Sequence, residues 1–352
     1  MVVLTESTST STPTHSPISQ SFHTDLTSVS SVTIQGMVSS RSNPVDVTLT
    51  RAESFPGCRY SELMTDIPPI PGWAAAHPPK DQCNISLRLG ERISDGRIGL
   101  VYSVDVLGIT HAPGENMDVD LPPQLCIKVA KERHSRSLAR EAWFYEQLAF
   151  SGECAGMVTP RCFGFFTVRL RECFDLAGNS VTRVEPWSQA KPEATTPNNT
   201  LLHDDMDYDS FRDEQSARDK SPWNKLEASW AEPLLCLLLL ERLGPPFTNV
   251  PRNTVSEDEY MQELRDMIYD IGYAGVFHGD FRYTNILRAP DEDSSPLCPR
   301  HRCRHRWRII DFDRAYKLHF TETDSSSAYD FEKATVLQAR AAIQNPYFWG
   351  CP

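Results

Sequence analysis

Between residues 85 and 129 the apolar positions fall into three short strand-like runs, and between 138 and 150 they switch to helical spacing. The first run is Leu87-Arg88-Leu89-Gly90-Glu91-Arg92-Ile93, and after a Gly-containing turn the second covers 100–106. A turn-rich loop over 111–123 leads to the third, Leu125-Cys126-Ile127-Lys128-Val129. The order is strand, strand, strand, helix, so sheet and helix must share a core. Two further apolar runs, 162–168 and 234–240, read as strands, separated by a polar insertion at about 175–230 in which 208–226 could be helical. Ser256 followed by Glu259 has the form of a capping box. The helix it opens carries Tyr260, Leu264, Met267, Ile268 and Ile271 on one face and ends near 272–275. A hairpin over 286–288 and 307–310 and a last helix over 328–343 complete the reading, and no internal repeat is visible.

The first 83 residues look different. Thr5 to Thr12 is a Ser/Thr run broken only by Glu6, and residues 1–50 offer little to bury against their ordering entropy. They are expected to be disordered and dispensable for folding, and Ile67-Pro68-Pro69-Ile70-Pro71-Gly72 with Pro78-Pro79 to be an extended linker. The division is a tail and linker over 1–83, a strand-rich unit over 84–243 and a second unit over 244–352. A formal charge of −12 argues against nucleic acid as a partner. No apolar run approaches the roughly 18 residues of a membrane span. The 10 cysteines lack a regular framework, which suits reduced thiols and an intracellular, cytoplasmic or nuclear setting.

The residues with the sharpest chemical content are Phe277-His278-Gly279-Asp280-Phe281-Arg282-Tyr283-Thr284-Asn285, followed after the hairpin by Ile310-Asp311-Phe312-Asp313. Phosphoryl transfer needs such a set. One carboxylate, Asp280, would orient an attacking hydroxyl, while the amide oxygen of Asn285 and the carboxylate of Asp311 would hold Mg²⁺.

These segments resemble the catalytic loop and metal-binding strand of protein kinases, and the His-Gly-Asp form is also similar to aminoglycoside and choline kinases. The fit is best to divergent fungal-type protein-kinase-like proteins, over about residues 87–343. The resemblance implies an α+β, two-lobe protein-kinase-like fold: a small antiparallel-sheet N-lobe over 84–243 and a reduced, mainly helical C-lobe over 244–352. It implies Mg²⁺ and ATP as cofactors. By the same resemblance Gly96, Gly99 and Val101 belong to a glycine-rich turn over the phosphates, and Lys128 is the strand lysine paired with Glu141, with Glu146 the alternative. Leu240, Glu241 and Leu243 line the adenine site, and Arg282 contacts the γ-phosphate or Asp280.

Four departures accompany the resemblance. Ser94 replaces the first Gly of the turn, Asp313 stands where a Gly is usual, Arg282 stands where a Lys is usual, and no Ala-Pro-Glu segment follows. The expected activity is transfer of a phosphoryl group from ATP to a hydroxyl acceptor, with protein Ser/Thr favoured. A small-molecule kinase and an ATP-binding pseudokinase scaffold are the rivals, and no oligomeric state is implied. Cys298, His301, Cys303 and His305 have zinc-ligand chemistry, but irregular spacing among arginines favours a solvated basic hairpin tip.

Overall fold

The computed structural model describes residues 29–41, 43–56, 74–78, 83–111, 120–150, 154–191, 221–226, 233–247, 257–290 and 295–317. Eight strands form the main sheet: β1 (Ser31–Ser40), β2 (Asn43–Arg51), β3 (Cys83–Asp95), β4 (Gly99–His111), β5 (Leu125–Ala130), β6 (Cys162–Arg169), β7 (Arg183–Val184) and β8 (Leu234–Glu241). Their order is β2-β6-β8-β5-β4-β3-β1-β7, and β2 also pairs with β1. Seven strands therefore close a ring, with β7 attached to β1 outside it. Every pairing in the ring is antiparallel except β1 with β3.

Two expectations are corrected here. The chain does not form the two-lobe protein-kinase-like fold: it forms a closed seven-stranded β-barrel. Among the described residues only α1 (Ser135–Phe150), the single turn α2 (Glu185–Ser188) and α3 (Glu257–Tyr273) are α-helical, so no mainly helical C-lobe is found. The helix expected over 328–343, most of the polar insertion and most of the Pro-rich linker lie outside the described residues. The second correction explains the first. Residues 31–51, read as part of a disordered tail, supply β1 and β2, and these fill the gap between β3 and β6 that would otherwise leave two sheet edges. Closure removes those edges.

Alternation sorts the barrel residues. Leu125, Ile127 and Val129 of β5, and Leu235, Leu237 and Leu239 of β8, join Ile34, Leu49, Ile85, Leu87 and Phe166 in the barrel interior. The intervening Cys126, Ala130, Cys236, Leu238 and Leu240 point outward, against α1. Both strands are thus apolar on both faces, as sheets covered on two sides must be. α1 is covered around almost its whole circumference, with Trp143 and Phe144 fully buried. Truncating either ring to Ala would cost about 3–5 kcal/mol.

Beyond the barrel the chain runs through α3, β9 (Val276–Phe277), β10 (Ile286–Arg288), β11 (Trp307–Ile309) and β12 (Tyr316–Lys317). β10 pairs with β11 and β9 with β12, both antiparallel. This segment is docked onto α1: Arg140 donates to the carbonyls of Asp313 (3.0 Å) and Ala315. No helix among the described residues is long and apolar enough to cross a membrane.

Candidate functional site

Lys128 sits on the outward face of β5, where alternation places an ammonium in an otherwise apolar strand. A buried ammonium needs partners. Among the described residues it has two: Glu141 Oε2 from α1 at 2.6 Å and Asp311 Oδ1 from the turn after β11, also at 2.6 Å. Burial works against the charged lysine, but Asp311 and Glu141 outweigh it and hold its pKa above the usual value. Burial alone would also raise the Asp311 carboxyl, and the Lys128 ammonium more than offsets that, leaving it below its ordinary range. Glu146, the alternative partner, is occupied elsewhere. It accepts from Ser54 Oγ (2.7 Å) and Ala76 N–H (3.2 Å), tying both segments to α1.

Asp311 adopts the left-handed conformation, φ 70° and ψ 62°, unusual for a non-glycine residue. Phe312 behind it anchors the turn, its ring meeting Tyr145 edge-on at 5.4 Å and His278 at 4.7 Å. His278 connects the two chemical segments. Its Nε2 lies 2.8 Å from the carbonyl of Ile310, which can only accept, so Nε2 carries the proton. Nδ1 is then the acceptor for Asp280 N–H at 3.3 Å. Burial lowers the His278 pKa, consistent with this neutral tautomer. Gly279 between them has φ +72°, and a Cβ there would collide with the Arg314 carbonyl oxygen. Asn285 Nδ2 donates to the Asp280 carbonyl at 2.9 Å, which fixes the amide and leaves its oxygen as an acceptor.

One cavity of about 990 Å³ joins most of these groups. Gly96, Gly99, Val101, Lys128, Leu240, Glu241 and Leu243 all line it, together with Glu141, Arg282, Asn285 and Asp311. Asp280 does not line it. Its carboxylate is buried and paired with Arg282. The turn joining β3 to β4 is closed by Gly96 N–H to Gly99 O at 2.9 Å. Gly99 also serves the barrel, since a Cβ there would come within 2.7 Å of the Val129 carbonyl. The Glu241 carbonyl is met by the Cys126 thiol at 3.7 Å.

Carboxylate oxygens of Asp280, Asp311 and Asp313 all lie within 4.8 Å of one another. Burial, and then the neighbouring Asp311, push the Asp313 carboxyl up to about 7, although Arg97 lies 3.8 Å away. Such a concentration of hard oxygen donors, with the Asn285 amide alongside, suits a divalent cation of the Mg²⁺ type. Arg97 and Arg140 were not among the sequence candidates. Arg97 lies between Gly96 and Gly99, but nothing in the sequence pairs it with Asp313.

The Cys298–His305 reading holds only in part. Cys298 and His305 are buried, and so is Arg308, which donates to the carbonyls of His305, Trp307 and Gly156 and to Ser295 Oγ. The loop is packed at its base, while Arg302 and Arg304 at its tip are exposed, as the basic, solvated reading expects.

No family model matches the chain, and no curated protein matches it either. The resemblance to fungal-type protein-kinase-like proteins and to aminoglycoside and choline kinases therefore gains no support from relatives, and the closed barrel overturns it at the level of fold.

Proposed function

We propose that the chain is an ATP-dependent phosphotransferase that uses Mg²⁺ and passes the γ-phosphate to a hydroxyl acceptor, with protein Ser/Thr side chains as the favoured class. The observation that carries the reading is the Lys128 ammonium held between Glu141 and Asp311 at the wall of a cavity large enough for a nucleotide. Lys128 would bind phosphate oxygens, and the Gly96–Gly99 turn would cover them. Asp311 and Asn285 would hold the metal, whose positive charge, when bound, offsets the charge that accumulates on the phosphate oxygens. Asp280 would orient the acceptor hydroxyl and take its proton, with Arg282 holding the carboxylate in place.

A second reading, nucleotide binding without turnover, is favoured by one observation: the Asp280 carboxylate is buried against Arg282 and set back from the cavity wall. Calorimetric titration with Mg·ATP and transfer of labelled γ-phosphate to protein and metabolite fractions separate the two. Asp311→Ala and Lys128→Ala are expected to weaken nucleotide binding. Asp280→Asn is expected to keep binding within a few-fold and to reduce transfer by at least about 10²-fold, the scale of a lost general base. Binding without transfer above the Asp280→Asn background leaves the second reading. A folded wild type that does not respond to Mg·ATP, indistinguishable from Lys128→Ala, rejects both.

A further inference from the structure

Far from the glycine turn, α3 and the loop between β10 and β11 bring four metal-ligand side chains together: Asp270, Cys298, His301 and His305. One ligand atom from each lies within 4.8 Å of all the others. Cys298 Sγ is 3.2 Å from Asp270 Oδ2 and 3.5 Å from His301 Nδ1. His301 Nδ1 and His305 Nε2 each lie 3.3 Å from the same Asp270 oxygen. Zinc bonds of about 2.0–2.1 Å to nitrogen and oxygen and about 2.3 Å to sulfur give tetrahedral edges of roughly 3.3–3.6 Å. The Cys298–His301 separation and the two His–Asp270 separations match those edges within about 0.1 Å, and the sulfur–oxygen pair is about 0.3 Å shorter than its edge.

We infer that Asp270, Cys298, His301 and His305 form a tetrahedral zinc site that locks the β10–β11 loop to α3.

Two independent features point to a ligand at the centre and not to a network of hydrogen bonds. His305 is fully buried, and among the described residues neither of its ring nitrogens makes a well-aligned hydrogen bond, although Nε2 lies close to the Asp270 carboxylate. A buried imidazole left in that state is costly. Cys298, His301 and His305 also converge on one carboxylate oxygen, more than its lone pairs can receive in good geometry, while a cation at the common centre satisfies all four groups. The other Asp270 oxygen is engaged by Arg300 NH1 at 3.2 Å, the kind of outer contact that orients a ligating carboxylate.

The loop is shaped for the purpose. Cys298 N–H donates to the Cys303 carbonyl and Arg302 N–H to the Cys298 carbonyl, each at 2.8 Å, with Arg302 at φ 53°. This folded turn presents Cys298 and His301 on the same side. One thiolate, one carboxylate and two neutral imidazoles cancel the charge of Zn²⁺, so the buried site carries no net charge of its own. Thiolate and imidazole in a closed tetrahedral set select zinc over Mg²⁺ or Ca²⁺.

The test uses the full chain produced with zinc in the medium, and no nucleotide. Elemental analysis is expected to find about one zinc per chain, as a closed four-ligand site requires. Exchange with Co²⁺ is expected to give intense four-coordinate visible bands and a sulfur-to-metal charge-transfer band in the near ultraviolet. Cys298→Ser should abolish the charge-transfer band, and His305→Ala should lose the zinc. Cys303→Ser, outside the cluster, should keep both metal and spectrum. Where a ligand variant fails to fold, the cobalt spectrum of the wild type decides alone. A folded wild type that retains no zinc and shows no sulfur-to-cobalt band overturns the site, as does a Cys303→Ser variant that loses the band.

Discussion

On β5 and β8 the barrel buries Leu, Ile and Val toward its axis, whereas the 257–317 segment buries Glu263, Asp270, His278, Asp280, Asn285, His305, Arg308 and Asp313. The two regions differ in how much polar burial they add to an apolar core. The barrel relies on non-directional apolar burial and on a ring of strand pairing that leaves no edge. The other region adds to its own apolar core, with Leu264, Met267, Trp307 and Phe312 among its members, many directed contacts between charged and polar groups, each of which is expensive if its partner is removed. A barrel built from alternating aliphatic residues tolerates volume-conserving exchange. A polar cluster fixes the positions of a few side chains and tolerates little. The candidate chemistry lies where the two regions meet, with Lys128 supplied by the first and Asp311 by the second.

The most drastic way to break the comparison is to open the ring. Deleting residues 29–51 removes β1 and β2, exposes β3 and β6 as edges and uncovers the barrel interior. Cooperative unfolding is expected to be lost altogether, as followed by circular dichroism and thermal denaturation. An unchanged melting temperature would mean that the remaining strands form a stable open sheet and that the closure contributes nothing. Gly279→Ala attacks the polar region instead. Its positive φ and the collision with the Arg314 carbonyl should destabilise the chain by about 1–3 kcal/mol, the usual range for such strain. In urea titrations that loss should appear without a change in slope. Equal stability to wild type would show that the His278–Asp280 turn can relax.

A pH-dependent effect sharpens the contrast, because the barrel's own helix also buries a carboxyl. Burial pushes Glu146 up to about 7, against the hydrogen bonds from Ser54 and Ala76 and the charge of Arg51, with Glu53 adding to the rise. The folded chain therefore holds this proton more tightly than the unfolded one. Its contribution to stability is complete below about pH 4.3, the ordinary glutamate value, and is lost as pH rises through about 7. Since one pKa unit corresponds to about 1.4 kcal/mol, the rise from about 4.3 to about 7 should make the wild type lose roughly 3–4 kcal/mol across that window relative to Glu146→Gln. The glutamine can accept the same two hydrogen bonds. Parallel stability curves for the two proteins between pH 4.5 and 8 would contradict the assignment.

β3 to β6, β8, α1, α3 and the β10–β11 hairpin were legible because hydrophobic period alone defines them. Lys128 stood out as an ammonium in an apolar strand, and the spacing of Asp280, Asn285 and Asp311 suggested their common purpose. β1 and β2 escaped because Ser and Thr dominate the tail. Val32 and Ile34, then Val45, Val47 and Leu49, nonetheless alternate strictly within it, and all five are buried. Composition hid a period-two signal that the same rule would have found. The fold class failed for the same reason: two strands decide whether the sheet has edges or is a ring. Asp270 could not be joined to Cys298 from sequence, since α3 and the loop meet only through tertiary packing. Arg302 and Arg304 are exposed as their composition suggests, whereas Arg308, in β11, is buried among carbonyls.

Closure of the ring also sets an order of events during synthesis. β1 and β2 leave the ribosome first, yet the parallel partner of β1 begins at Asn84, and β2 meets β6 only at Phe166 and Thr167. β8, which completes the circuit between β6 and β5, comes later still. Until those strands have been made, the nascent hairpin carries unpaired backbone on both sides. Contacts this distant in sequence place the chain in the slow-folding regime. The yield of intact protein should therefore respond to translation speed and to holding chaperones more strongly than to any side chain at the cavity.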